Sequence, residues 1–268
     1  MDTVTRMNRL SYRAVWISDV HLGSKACKVD YLLDFLNSTH CDYLYLVGDI
    51  IDILAYKRGK FWSQKHTEVI HTILEKATSG TKVIYVPGNH DDELRNYTGH
   101  VFGQVEVHQQ YVHRQKDGKQ FLVLHGDEFD HVIQCGYLLT WLGDASYEIL
   151  IKLNRWLNIA RRIFKRPYWS LSSYLKNRVK KARQHIRNYE SAVIAEARRR
   201  GMDGVICGHI HHPELYTKEG VLYCNDGDWV ENCCSVVETH DGQFHLLYWT
   251  EQMQMLKSST PQAVASVA

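Results

Sequence analysis

The stretch Asp42-Tyr-Leu-Tyr-Leu-Val-Gly-Asp-Ile50 decides how the chain is read. An apolar, aromatic-rich run of strand character ends in Gly48 and then exposes the carboxylate of Asp49. The same design recurs outward in both directions. It appears as Trp16-Ile-Ser-Asp19-Val-His21, as Val83-Ile-Tyr-Val-Pro-Gly-Asn89-His90, as Phe121-Leu-Val-Leu-His125-Gly-Asp127 and as Val205-Ile-Cys-Gly-His209-Ile-His211. Each run delivers Asp, Asn or His just past its last apolar residue. A sheet that aligns such strand ends gathers them into one polar pocket.

Between these runs the periodicity changes. Asp30 is a plausible N-cap for a helix carrying Tyr31, Leu32, Leu33, Phe35 and Leu36. A second helix is predicted over 62–77, with Ser63 as cap, Val69, Ile70, Ile73 and Leu74 at helical spacing, and Ser79-Gly80 as its stop. Residues 104–124 read as two strands around the hairpin signal Asp117-Gly118. Strand, helix, strand, helix, strand implies a largely parallel sheet. From 131 to 200 strand signals vanish and the chain reads as a helical, basic insertion; strands return over 204–207, 222–224, 234–239 and 244–249. The expected domains are therefore a core of 12–130 with 201–250, a helical cap of 131–200, and flexible ends at 1–11 and 257–268.

The chain has 268 residues, net charge +2, 44% hydrophobic and 23% charged residues. That is ordinary globular composition and argues against a strong global field for nucleic acid. Seven cysteines, an odd count without a CxxC pair, point to a reducing compartment rather than a disulfide scaffold. No segment has the length of a signal-peptide core or a membrane span. The expectation is a cytoplasmic protein, with peripheral contact to a membrane as a further option.

Seven side chains are candidate metal ligands: Asp19, His21, Asp49, Asn89, His125, His209 and His211. Asp19-x-His21 and His209-x-His211 share a logic, since residues two apart on an extended segment point the same way. Carboxylate and imidazole donors suit Mn, Fe, Zn or Ni. Seven ligands exceed one ion, and a shared Asp49 makes two sites of four. Two such ions clamp a phosphoryl group and lower the pKa of a bridging water, which becomes the nucleophile. His90 is the candidate catalytic acid. Asp91 and Asp127 are candidates to orient ligand imidazoles. Asp52 reads as a helix cap, His212 as a rim residue, and His66 and His113 as surface or strand residues.

The ordered set Asp19-x-His21, Gly48-Asp49, Gly88-Asn89-His90-Asp91, His125-Gly126-Asp127 and Gly208-His209-x-His211 resembles the calcineurin-like metallophosphoesterase superfamily. The resemblance implies a four-layer α-β-β-α sandwich, here with a helical cap. Ile17-Ser-Asp-Val-His-Leu-Gly23 and Gly48-Asp-Ile-Ile-Asp52 are further similar to UDP-2,3-diacylglucosamine diphosphatases. That likeness implies Asp19, His21, Asp49 and His211 on one ion, Asp49, Asn89, His125 and His209 on the other, and usually manganese. It also implies hydrolysis of the pyrophosphate of a UDP-linked lipid sugar at the inner face of a bacterial membrane. The chain departs from the enzymes of that lipid pathway in carrying His90 where they have Arg; His there is the general superfamily pattern.

Two stretches stay open on sequence. The insertion pairs an apolar stripe, Trp156, Leu157 and Ile163, with Arg155, Arg161, Arg162 and Lys165. It reads as a solvated helical face, as a cap on an amphiphilic nucleotide-sugar or lipid phosphate, or as a nucleic-acid contact, the last disfavoured. Asn225-Asp-Gly-Asp-Trp229 reads equally as a tight turn and as part of the pocket. The alternatives to a lipid-precursor hydrolase are a phosphodiesterase or nuclease of the same superfamily and a non-catalytic metal-bound scaffold.

Overall fold

A computed structural model describes residues 10–59, 61–132, 154–159, 161–164 and 180–249. Its first sheet is built on β1 (Leu10–Ile17), β2 (Thr39–Val47) and β3 (Lys82–Val86), which run parallel. Short strands β4 (Val101–Phe102) and β5 (Val105–Val107) extend it on one side. A second sheet holds β6 (Tyr111–Arg114), β7 (Gln120–Val123), β8 (Gly204–Cys207), β9 (Glu214–Lys218) and β10 (Val221–Asn225). Strands β11 (Cys234–Glu238) and β12 (Phe244–Tyr248) return to the far side of the first. The orders are β12-β11-β1-β2-β3-β5-β4 and β6-β7-β8-β10-β9.

Alternation along the strands sorts side chains into layers. Ala14 and Trp16, Tyr45 and Val47, Ile84 and Val86 face Phe121, Val123, Ile206 and Cys224 of the other sheet. The Trp16 and Tyr45 rings stack at 5.0 Å. Val15 and Ile17, Leu44 and Leu46, Val83 and Tyr85 point the opposite way. There they meet α1 (Val29–Ser38), through Leu32, Phe35 and Leu36, and α3 (Gln64–Thr78), through Val69, Ile73 and Ala77. Between those helices lies the short α2 (Ile53–Gly59). On the other side of the molecule, Leu122, Leu124, Val205 and Tyr223 pack against Tyr189, Val193, Ile194 and Ala197 of α4 (Lys180–Arg199). The result is helix, sheet, sheet, helix, as the resemblance implied.

Several local expectations shift. Ser63 does cap α3, accepting from the His66 N–H. Asp30 caps nothing: α1 begins at Val29, and Asp30 sits in its first turn, paired with Lys65. Residues 104–124 hold three strands, not two, because the chain crosses from the first sheet (β5) to the second (β6) between them. The helix Lys180–Arg199 falls within the segment assigned to the cap, yet its second half forms the outer layer of the core. Residues 154–159 and 161–163 are helical. Most of 131–179, with Lys165, lies outside the described residues, as do the segments 1–9 and 250–268.

Candidate metal centre and active site

The loops that leave β1, β2, β3, β7 and β8 meet at one end of the two sheets. They are tied by backbone hydrogen bonds: Asp19 N–H to Gly48 O at 3.0 Å, His21 N–H to Asp49 O at 2.8 Å, and Gly208 N–H to His125 O at 3.2 Å. Tyr189 of α4 places its hydroxyl 3.3 Å from both the His125 and Gly208 carbonyls, holding the ends of β7 and β8 together from below.

Backbone conformation singles out the same residues. Among the described residues, seven other than glycine have positive φ, and five of these are Asp19, His21, Asp49, His209 and His211. This conformation costs a non-glycine residue on the order of 1 kcal/mol or more, and it collects where a site over-determines the geometry. It also corrects the reason given above for the Asp-x-His and His-x-His pairs. They converge because left-handed turns fold the chain back at the strand ends, not because the segments are extended.

Donor atoms converge accordingly. Asp19, His21 and His211 each bring a ligand atom within 4.8 Å of the other two; so do His21, Asp49 and His90, and so do Asp19, Asp49 and His125. His211 Nε2 lies 3.0 Å and His21 Nε2 3.9 Å from Asp19 Oδ1. Asp49 stands between the clusters, with Oδ1 3.5 Å from His125 Nε2 and Oδ2 3.8 Å from His21 Nε2. Asn89 Oδ1 is 3.3 Å from His125 Nε2. His209 is beside them, its ring 5.1 Å from that of His125, with its backbone N–H on Asp19 Oδ2 at 2.9 Å. Its Nε2 is 2.8 Å from Asp130 Oδ1, so Nδ1 is the atom it leaves for an ion.

These donors fit divalent cations. Asp19 Oδ1 is buried and faces the imidazoles of His211 and His21. Space is reserved around the carboxylate and ring: a Cβ on Gly88 would stand 2.3 Å from Asp49 Oδ1 and 2.7 Å from His125 Nε2. Burial alone would raise the Asp19 and Asp49 pKa values, yet His211 beside Asp19 and His125, His21 and His90 around Asp49 hold both well below the usual range. Burial likewise works against charge on His125, but Asp49 and Asp19 push its pKa well up. Anionic carboxylates surrounded by imidazoles that attract protons are a set that a divalent cation satisfies better.

The orienting groups differ from the sequence reading. Among the described residues Asp91 meets no imidazole. It is buried beneath the Asp49 loop, accepting N–H groups from Gly88 (2.6 Å), Asp49 (3.2 Å), Ile50 (2.8 Å) and Ile51 (3.3 Å) and the Tyr85 hydroxyl (2.5 Å). Asp127 is held by the Arg95 guanidinium at 2.7 and 2.8 Å. The imidazoles are set by other groups. His125 Nδ1–H donates to the Val47 carbonyl at 2.8 Å. Asp52 takes Nδ1 of His21 on Oδ2 at 3.2 Å and Nδ1 of His90 on Oδ1 at 3.0 Å, while also capping α2 through Ala55 N–H at 2.7 Å. The cap reading of Asp52 was right but incomplete; its position three residues after Asp49 was the available signal. His66 is buried, not superficial, accepting Gly23 N–H on Nδ1 at 3.3 Å and lying against the Phe61 and Trp62 rings. His113 is buried between the sheets with Arg13, Tyr45 and Glu238. In the last open loop, Asp226 and Asp228 are both fully buried. Of the basic candidates, Arg155, Arg161 and Arg162 lie on the described helical pieces 154–159 and 161–163, beside the exposed Trp156, Ile159, Ile163 and Phe164.

A family model for calcineurin-like phosphoesterases matches residues 12–213. The chain belongs to that family. A curated relative, the UDP-2,3-diacylglucosamine hydrolase of Blochmanniella pennsylvanica (strain BPEN), is 23% identical over 214 residues, spanning 75% of this chain and 80% of its own. Similar solved structures include Yfce, a phosphoesterase from E. coli, at 13% identity and TM-score 0.41, and Vps29 from Entamoeba histolytica complexed with zinc, at 13% and 0.43. Each covers 88% of this chain and 98% of the solved one. The chain is thus a phosphoesterase of a family that uses divalent metals. All six described cysteines are free, and no described helix is long and apolar enough to cross a membrane.

Proposed function

We propose that the protein hydrolyses the pyrophosphate bond of a nucleoside-diphosphate-linked amphiphile of the UDP-2,3-diacylglucosamine kind, using two divalent cations, manganese first among them. One observation carries the reading: Asp49 stands between two converging donor groups, one with Asp19, His21 and His211, the other with His125 and Asn89. Asp19, His21, Asp49 and His211 would hold the first ion, and Asp49, Asn89, His125 and His209 the second. Bound there, the pair supplies Lewis acidity at the phosphoryl oxygens and acidifies a water.

The chain's own residues do the rest. Asp52 fixes the tautomers of His21 and His90 by holding both Nδ1 atoms. His21 is left with Nε2 as a donor atom for the cation. His90 is left with Nε2 4.0 Å from Asp49 Oδ2, at the mouth of the donor cluster. Burial disfavours charge on His90, but its hydrogen bond to Asp52 favours the protonated ring. A proton held at Nε2 neutralises the leaving phosphate oxygen as the anhydride bond breaks.

Support for an amphiphilic substrate comes from the named relative and from the apolar face Trp156, Ile159 and Ile163 with Phe164 next to it. These residues are 47–75% exposed, next to Arg155 and Arg162. Such a face suits acyl chains or a peripheral membrane contact. The test offers UDP-2,3-diacylglucosamine and a bis-nitrophenyl phosphodiester to the Mn(II)-loaded protein. Release of UMP and the lipid monosaccharide phosphate, with weak diester cleavage, supports the proposal. Diester cleavage with the lipid substrate untouched replaces it by the phosphodiesterase reading.

A further inference from the structure

Ser18 and Asp226 explain how Asp19 is aimed, and the explanation turns on counting protons. Ser18, Asp19 and Asp226 are all fully buried. Ser18 Oγ lies 2.5 Å from Asp19 Oδ2 and 2.6 Å from Asp226 Oδ1. Both are hydrogen-bond lengths for O–H···O, yet a serine hydroxyl carries one hydrogen. With both carboxyls ionised, one contact would set lone pair against lone pair between buried anions. A second proton therefore belongs to the chain of three groups.

That proton has one favourable place. Asp19 faces His211, His21 and the His209 N–H, all of which favour its anion. Asp226 makes no ion pair among the described residues, and its Oδ2 is buried without a hydrogen-bond partner. An unsatisfied carbonyl-like oxygen costs about 1–3 kcal/mol, whereas an unsatisfied buried anion costs several times that. Burial and the nearby Asp19 charge push the Asp226 pKa well up, in the same direction. Glycine backbones pack closely against these groups. A Cβ on Gly208 would stand 2.2 Å from Ser18 Oγ and 2.6 Å from Asp19 Oδ2, and a Cβ on Gly227 2.2 Å from Cys234 Sγ.

We propose that Asp226 is a neutral carboxylic acid that donates from Oδ1 to Ser18 Oγ, so that Ser18 donates to Asp19 Oδ2 and turns Asp19 Oδ1 into the metal site. Asp226 is a positioning residue two hydrogen bonds from the proposed ligand Asp19. The inference rests on Asp19 being a metal ligand, and it assigns to the 225–229 loop a part in the pocket as well as in a turn.

The test titrates Mn(II) into the full chain by calorimetry, for wild type, Asp226→Asn, Asp226→Ala and Ser18→Ala, and records infrared spectra of the same proteins without metal. The amide N–H of Asp226→Asn replaces the acid O–H as donor, so this variant binds Mn(II) as wild type does. Asp226→Ala and Ser18→Ala bind about 10–100-fold more weakly, the usual effect of removing an outer-shell partner. The wild-type minus Asp226→Asn infrared difference shows the C=O band of a protonated carboxyl. Asp226→Asn weakening Mn(II) binding as much as Asp226→Ala would overturn the proposal, because an anion would then be what the site needs. A difference spectrum with only an ionised-carboxylate band would overturn it too. If wild type binds none of Mn(II), Fe(II), Zn(II) and Ni(II), Asp19 is no ligand and the aiming role falls, while the infrared arm still decides the protonation of Asp226.

Discussion

Asp52 Oδ1 lies 3.0 Å from His90 Nδ1, and the other oxygen of the same carboxylate holds His21. One side chain thus fixes both a proposed metal ligand and the proposed proton donor. Asp52→Ala should lower metal affinity about 10–100-fold and also lower kcat at saturating metal. A titration of activity against Mn(II) separates the two effects. Loss of affinity with an unchanged kcat would confine Asp52 to His21.

His90→Asn should leave metal stoichiometry unchanged and lower kcat by about 10²–10⁴, the range for losing a positioned acid. The deficit should shrink for substrates with good leaving groups, such as nitrophenyl esters. An equal deficit on every leaving group would argue that His90 acts otherwise than by proton donation.

Gly88 is kept as glycine by the site rather than by its own backbone. Its φ is not in the left-handed region, but a Cβ would collide with Asp49 Oδ1 and the His125 ring. Gly88→Ala should therefore fold and yet lose metal binding, which circular dichroism and metal analysis on one sample would show. Gly126→Ala, where φ is +111° and the Cβ would stand 1.8 Å from the Tyr189 hydroxyl, should instead lower Tm.

The ordered blocks made the seven candidate ligands legible, because each follows an apolar run that must be a strand. The four layers were implied by the resemblance, while which side chains face which layer, Trp16 and Tyr45 inward and Val15 and Leu44 outward, is seen only in the structure. What stayed hidden depends on which loop passes beneath which. Asp91 and Asp127 lie next to ligands in sequence, but the turns send Asp91 under the Asp49 backbone and Asp127 to Arg95. Asp52 reaches two imidazoles because α2 starts beside both. His66 looks like any polar helix residue until α3 brings it under Gly23.

His66 also gives the fold a pH dependence with a definite sign. Burial lowers its pKa below the ordinary histidine value. Above the ordinary range neither the folded nor the unfolded chain holds the proton, and no penalty arises. As pH falls through about 6.5, the unfolded chain takes up a proton that the folded one refuses, so stability declines. His66→Asn keeps an acceptor for Gly23 N–H and removes the titration. Denaturant unfolding at pH 8 and pH 5.5 should show a smaller acid loss in this variant than in wild type; an identical loss would assign it to other groups.

The most direct measurement is the number of divalent ions bound per folded chain, counted by metal analysis and native mass spectrometry for wild type and Asp49→Ala. A donor set shared at Asp49 predicts two Mn(II) per wild-type chain, with occupancy of both sites falling together in the variant. A wild-type chain that takes up no Mn(II), Fe, Zn or Ni, or an Asp49→Ala chain that keeps both ions, would contradict it.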